Sequence, residues 1–191
     1  MNRCTWAASN PDFFDYHDHE WGVPLHDDRK LFEFMLLDAF QAGLSWLTIL
    51  RKRDNFRKAF DDFDYHKIAA YDQSKIESML QDAGIIRNKL KINAAVKNAQ
   101  AFIKIQDEFG SFDAYIWGFT NGQTIQNHFT TIKEIPARTE LSDIISKDLI
   151  KRGCTFVGST IIYAFLQAAG IVNDHTTDCF RYQQFAGNNS A

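Results

Sequence analysis

Cys4 and His17 lie near one end of the sequence, and His175 and Cys179 near the other. Together they offer two thiolates and two imidazoles, the ligand set of a closed tetrahedral zinc site. His175 and Cys179 are four apart, so a helix or a tight turn can aim both at one ion. Cys4 and His17 then belong to an N-terminal arm that meets the C-terminus. Four protein ligands leave no open position, which points to one structural rather than catalytic zinc. The competing reading is a buried Cys4, a surface His17 and a loose tail. Spacing alone does not choose between them, because C-x12-H is not a common finger spacing.

A second set of residues surrounds Asp38. It sits among Leu36, Leu37, Ala39 and Phe40, in the last turn of a predicted helix. A carboxylate there faces the negative end of the helix dipole. Burial adds a cost of several kcal/mol unless a partner is present. The placement makes sense if a cationic or donor-rich ligand is read there. The plain alternative is a carboxylate bonded to a neighbouring backbone amide. Trp6, Phe13, Phe14, Tyr16 and Trp21 crowd the N-terminal arm, and Trp46 follows the turn at Gly43-Leu44. An acid among indoles and a phenol is a cage for a flat cation. Tyr16 and Trp46 are the stronger candidates, because a buried phenol or indole N–H needs a polar partner. Phe14, Phe32 and Phe34 read as ordinary core.

The segment MLQDAGIIRNKLKINAAVKNA, from Met79 to Ala99, adds a nucleic-acid signal. It reads as a helix, a turn at Ala83-Gly84-Ile85 and a basic helix. That pattern resembles the helix–hairpin–helix module, whose turn offers backbone amides to DNA phosphates. Arg87, Lys89 and Lys91 lie beside the turn. The alternative is a solvated basic face, the commoner meaning of such a run.

These residues must be held by helices, since strand signals are weak. Asp27 and Asp28 can cap a helix over 29–41, with Leu31, Phe32, Met35, Leu36 and Ala39 facing inward and Gly43 stopping it. A second helix is predicted over 44–60, with Trp46, Leu47, Ile49 and Leu50 inward and Arg51, Lys52, Arg53, Arg57 and Lys58 outward. Further helices are predicted from Asp72 or Ser74 to Ala83-Gly84, over 88–108, over 142–152, and over 159–169 ahead of Gly170. The fold class is all-α, a bundle without a sheet, forming one domain over residues 1–191.

Composition sets the outer limits. At 45% hydrophobic and 24% charged residues, the chain can build a core without being a membrane or disordered protein. Three cysteines, with Cys154 unpartnered, do not make a disulfide framework and suggest a reducing compartment. No apolar run has membrane-spanning length and no basic-then-apolar leader is present, so a cytoplasmic protein is expected. The net charge of −3 leaves room for a local basic patch that meets phosphates.

The stretches RCTWA (3–7), YHDHEWGVP (16–24), QAGLSWLTILRKR (41–53), DAGIIRNKLKI (82–92), RGCTFVGSTIIYAF (152–165) and GIVNDH (170–175) are similar to the DNA-3-methyladenine glycosylase I family. The similarity runs from the first residues to about Cys179. It implies an all-helical helix–hairpin–helix glycosylase that excises 3-methyladenine from double-stranded alkylated DNA. The family's zinc ligands fall on Cys4, His17, His175 and Cys179. Its base-binding aromatics fall on Trp6, Tyr16, Trp21 and Trp46. The loop Ala42-Gly43-Leu44 matches the part that approaches the gap left by the flipped nucleotide, and Gly84 and Lys89 fall in the phosphate-binding hairpin. Two departures stand out. The family's base-reading glutamate is here Asp38, one methylene shorter, and a neighbouring tyrosine is here Phe13. A nearby small residue is replaced by Phe40, or the local register differs. The expected roles are base reading by Asp38, stacking by Tyr16 and Trp46, and substrate contact by Trp6, Phe13 and Trp21. A monomer is the default expectation. Two other classes stay open: a catalytically weakened lesion- or nucleotide-binding protein with the same fold, and a zinc-stapled helical adaptor.

Overall fold

Asp27 leaves an extended backbone and accepts a hydrogen bond from Lys30 N at 2.9 Å, opening the central helix. Every residue from Leu31 to Phe40 of that helix is buried. A helix buried all round needs neighbours on every side, and the rest of the chain supplies them. The computed structural model describes residues 1–185; residues 186–191 of the expected domain lie outside it.

In chain order the helices are α1 (Thr5–Ala8), α2 (Phe14–His19), α3 (Asp28–Gln41), α4 (Trp46–Ala59), α5 (Tyr65–Ala69) and α6 (Gln73–Gln81). They continue with α7 (Lys89–Phe109), α8 (Phe112–Gly118), α9 (Glu140–Lys151), α10 (Ser159–Ala168) and α11 (Tyr182–Phe185). The central α3 packs against α4, α7, α8 and α10. Side-chain caps set the starts: Ser45 for α4, Asp72 for α6, Asn88 for α7, Ser111 for α8 and Thr139 for α9. Each cap satisfies a backbone N–H that the first helical turn leaves unpaired. Phenylalanines fill the space between helices. Phe32 meets Phe102 edge-on at 5.2 Å, and Phe102 stacks on Phe112 at 4.1 Å.

The structure departs from the sequence reading here. The bundle does contain a sheet, though a minimal one: β1 (Ile125–Gln126) pairs in parallel with β2 (Val172–Asn173). Two-residue strands carry too little alternation to be read from sequence. The N-terminal arm is itself helical, in α1 and α2. Arg53 points inward rather than outward. It is buried between Glu20 and Glu33, 2.7 Å from each, with Phe34 under its guanidinium. Burial opposes its charge, and the two carboxylates outweigh that, so its pKa is raised.

The chain ends meet. Phe180 N donates to Asn2 O at 2.9 Å, and Arg3 forks onto Asp18. Phe14 is half-buried beneath the Arg3 guanidinium, 3.9 Å away, instead of joining the core. Gly170 follows α10 at φ +69°, and a Cβ there would lie 2.4 Å from the backbone carbon of Val23. Gly170→Ala adds left-handed strain and a backbone clash, so a loss on the order of 3 kcal/mol is expected in a thermal melt. An unchanged melting temperature would show that the 23–24 loop yields freely.

Candidate functional site

The turn between α3 and α4 places Asp38 beneath the N-terminal aromatics. A cavity of about 300 Å³ opens there, lined by Trp6, Tyr16, Trp21, Asp38, Gln41, Trp46, Ile132, Ile135, Ala164 and Gln167. Asp38 and Gln41 also border a second hollow of about 220 Å³ that runs past Ala42, Gly43 and Leu44. The rings form a connected wall. Trp6 meets Trp21 edge-on at 5.1 Å, and Tyr16 lies tilted against Trp46 at 5.1 Å.

Two polar atoms in this wall are buried and unpaired: Asp38 Oδ2 and Trp46 Nε1. The alternative role for Asp38, a carboxylate bonded to a backbone amide through that oxygen, is therefore not met. Burial pushes the Asp38 carboxyl well above its ordinary value of 3.8. Burial also raises the Tyr16 phenol, with the nearby Asp38 carboxylate adding to the shift and Arg53 opposing it. An orphan acceptor and an orphan donor in an aromatic cavity suit a flat ligand that brings both kinds of partner.

Beside the cavity, Cys4, His17, His175 and Cys179 come together, all buried, with their ligand atoms within 4.8 Å of one another. The four could hold a metal ion. Cys4 Sγ and Cys179 Sγ each lie 3.5 Å from His175 Nδ1, and Cys179 Sγ lies 3.5 Å from His17 Nε2. The outer ring nitrogens are also engaged. His17 Nδ1 is 2.8 Å from Asp18 Oδ1, and His175 Nε2 is 3.1 Å from Trp21 O. Such partners fix the tautomer that aims the other nitrogen at an ion. Asp18 is itself held low, to about 2, chiefly by its bonds from Arg3. Trp21 thus joins the two regions: its carbonyl orients His175, and its ring lines the cavity.

A family profile described as methyladenine glycosylase matches residues 6–182. The chain belongs to the methyladenine glycosylase family. It is 47% identical to DNA-3-methyladenine glycosylase 1 of Escherichia coli over 95% of this chain and 97% of that protein. It is 44% identical to DNA-3-methyladenine glycosylase of Haemophilus influenzae, over 93% and 96%. Among solved structures, a crystal structure of 3-methyladenine DNA glycosylase I superposes with TM-score 0.90 at 46% identity, covering 94% of this chain and 98% of that one. A Staphylococcus aureus 3-methyladenine DNA glycosylase I, whose structure addresses 3-methyladenine recognition, superposes with TM-score 0.90 at 35% identity, over 94% and 95%.

Within this family member the residues picked from sequence separate into those that converge and those that do not. Asp38, Tyr16, Trp46, Trp6 and Trp21 share one cavity. Phe13 does not line it; it packs edge-on against Trp6 at 5.4 Å. Phe40 faces away, into Phe56 and Phe60 at 4.9 and 5.6 Å. Gly43 and Leu44 stand exposed at the α3–α4 turn, Gly43 at φ +78° and Leu44 at 40% exposure. Gly84 and Lys89 lie at the α6–α7 turn, where Arg87 and Lys89 are exposed. Lys91 does not join them. It is buried, and its ammonium donates to Phe40 O and Ala42 O. Sequence reading missed Gln41, Ile132, Ile135, Ala164 and Gln167 as cavity walls. Gln41 opens the QAGLSW block and was within reach. Ile132 opens a single 3-10 turn, Ile132–Glu134, and Ile135 follows it, in a segment too short to show periodicity. Among the described residues, no helix is long and apolar enough to cross a membrane.

Proposed function

We propose that this chain is a DNA repair hydrolase that cleaves the N-glycosidic bond of 3-methyladenine in alkylated DNA. The carrying observation is the partnerless Asp38 Oδ2 in an aromatic cavity. Methylation at N3 makes the base cationic while it is still attached. Burial favours the neutral carboxyl in the empty site, and a cationic base arriving beside Asp38 favours its ionised form, so the two charges pair as the base binds while Tyr16 and Trp46 supply ring faces. The nucleotide must leave the stack to arrive there. The leaving base is already activated, so no proton need be donated to it. The C1′–N bond breaks, a water oxygen bonds to C1′, the water's proton passes to solvent, and free 3-methyladenine leaves an abasic site. The anion must not hold the ground-state cation too tightly, or the barrier rises with the binding.

The metal we assign to the Cys4, His17, His175 and Cys179 group is one structural zinc. With bonds of about 2.3 Å to sulfur and about 2.0 Å to nitrogen, neighbouring S and N ligands on a tetrahedron stand about 3.5 Å apart. That is the spacing of the three closest sulfur–nitrogen pairs, 3.5 Å each. All four ligands come from the protein, so the ion would fasten α1 and α2 to the C-terminal segment and carry no step of the chemistry.

Double-stranded DNA would approach over two turns: the exposed Gly43-Leu44 turn, and the α6–α7 turn read as a helix–hairpin–helix element. We take the protein to act as a monomer. With Lys91 buried, the phosphate contacts fall to Arg87 and Lys89. Replacing either by alanine is expected to reduce the slope of log affinity against log salt by about 0.9 for each phosphate left without its cation. An unchanged slope in the double variant would remove this patch from the interface. The activity itself is tested by incubating purified protein with methylated DNA and separating released bases by chromatography. Release of 3-methyladenine is the expected result. Binding without release would leave a lesion-binding protein, and the absence of both would overturn the reading.

A further inference from the structure

Two lysines sit on opposite sides of the turns just described, and each reaches the other's turn. Lys91, in the first turn of α7, donates through Nζ to Phe40 O at 2.8 Å and Ala42 O at 2.7 Å, where α3 ends. Lys52, in the middle of α4, donates through Nζ to Ala83 O at 2.9 Å and Gly84 O at 3.2 Å, where the hairpin turns. One cation thus follows the hairpin and grips the chain entering the Gly43-Leu44 turn. The other follows that turn and grips the hairpin. The carbonyls at a helix end carry partial negative charge, so both are charge-assisted contacts. Between them, α4 presses on the hairpin so closely that a Cβ at Gly84 would lie 3.1 Å from the Asn55 Cβ.

We propose that Lys52 and Lys91 form a reciprocal latch that sets the offset between the phosphate-gripping hairpin and the duplex-entering turn, making them positioning residues for nucleotide extrusion. This rests on the glycosylase reading above. Extrusion needs the backbone held at one point while Leu44 displaces the base at another. Unstacking costs a few kcal/mol, which a turn free to recoil would not deliver. Lys91 suits this task better than phosphate binding. It is 7% exposed, and burial lowers its pKa. Its ammonium directs two donors to carbonyls of the opposite turn.

Lys91→Met keeps the stem and removes the ammonium; Lys52→Met does the same on the more open side. Three measurements are taken on each and on the wild type: single-turnover release of 3-methyladenine from duplex DNA, affinity for free 3-methyladenine, and the salt slope of DNA binding. Small misplacements of reacting groups cost on the order of 100-fold, so duplex release is expected to fall about 10- to 100-fold. Free-base affinity and the salt slope should stay at wild-type values. The deficit should shrink when the lesion sits opposite a mismatch, because less unstacking is required. If Lys91→Met does not fold, Lys52→Met carries the same measurements. Wild-type duplex release in the folded variants overturns the latch. A fall in the slope of about 0.9 makes the lysine a phosphate contact instead and also overturns it. An equal loss of free-base affinity assigns the damage to the cavity, with the same consequence. Failure of the wild type to release base would strike the glycosylase reading itself, which separates the two failures.

Discussion

Replacing Cys179 with serine is expected to strip the metal from the protein and destabilise the fold in one step. The four residues bring positions 4 and 17 to positions 175 and 179, so a zinc bound there would hold segments that the backbone leaves far apart in sequence. Serine is a poor ligand, and the three remaining groups would be left buried without the ion that satisfies them. Binding free energy at such a site is folding free energy, so the loss should exceed about 4 kcal/mol, the range of mutations that remove a metal. The consequence reaches the cavity. His175 is tied to Trp21 O, and His17 stacks on the Trp21 ring at 6.2 Å. Trp6 and Tyr16 ride on the same N-terminal segment. Excision should therefore decline with the metal content even where the chain remains soluble. Metal analysis of native protein, followed by a thermal melt with and without chelator, measures both effects. Stoichiometric zinc retained in both Cys4→Ala and Cys179→Ala would refute the assignment.

Asp38→Asn is expected to separate stability from function. The folded Asp38 carboxyl titrates well above 3.8 because it is buried. At pH values between those two limits the folded protein retains a proton that the unfolded chain has released. Stability contributed by this group therefore falls as pH rises from the ordinary carboxyl range to the raised value. Asparagine has no proton to retain, so the variant should lack this decline and melt higher than wild type near neutral pH. Its affinity for free 3-methyladenine should fall nonetheless, because a donor replaces one acceptor and the amide cannot ionise as the ligand arrives. A loss of about 1–3 kcal/mol is expected for an unpaired buried group. Asp38→Glu tests the shortened acid. Phe13 and Phe40 do not line the cavity, so neither rebuilds it around aspartate. Glutamate should fit and preserve or raise the rate of excision. Wild-type excision in Asp38→Ala would show that the carboxylate plays no part in reading the base.

Residue types and spacing alone made several features legible. A Cys2His2 set, an acid at a helix end among indoles, and caps at Asp27 and Asp72 are chemical facts of the chain. Each implies a partner without naming it. The quoted blocks are spread from residue 3 to residue 175, which is why the family resemblance could be drawn before any fold was known. Helical periodicity was less informative about charge. The α4 pattern groups Arg53 with Arg51, Lys52, Arg57 and Lys58, because periodicity reports which face a residue occupies and not what stands opposite. Only the packed fold brings Glu20 and Glu33 to Arg53, and the carbonyls of Phe40 and Ala42 to Lys91. A buried cation survives when distant groups satisfy it, and those groups lie 33, 20, 51 and 49 residues away. The same limit hid Ile132, Ile135 and Gln167, which close the cavity from remote segments. Sequence determined what the site is made of; tertiary structure decided which of those groups face the cavity, because a cavity is bounded by residues whose neighbours in space are not their neighbours in the chain.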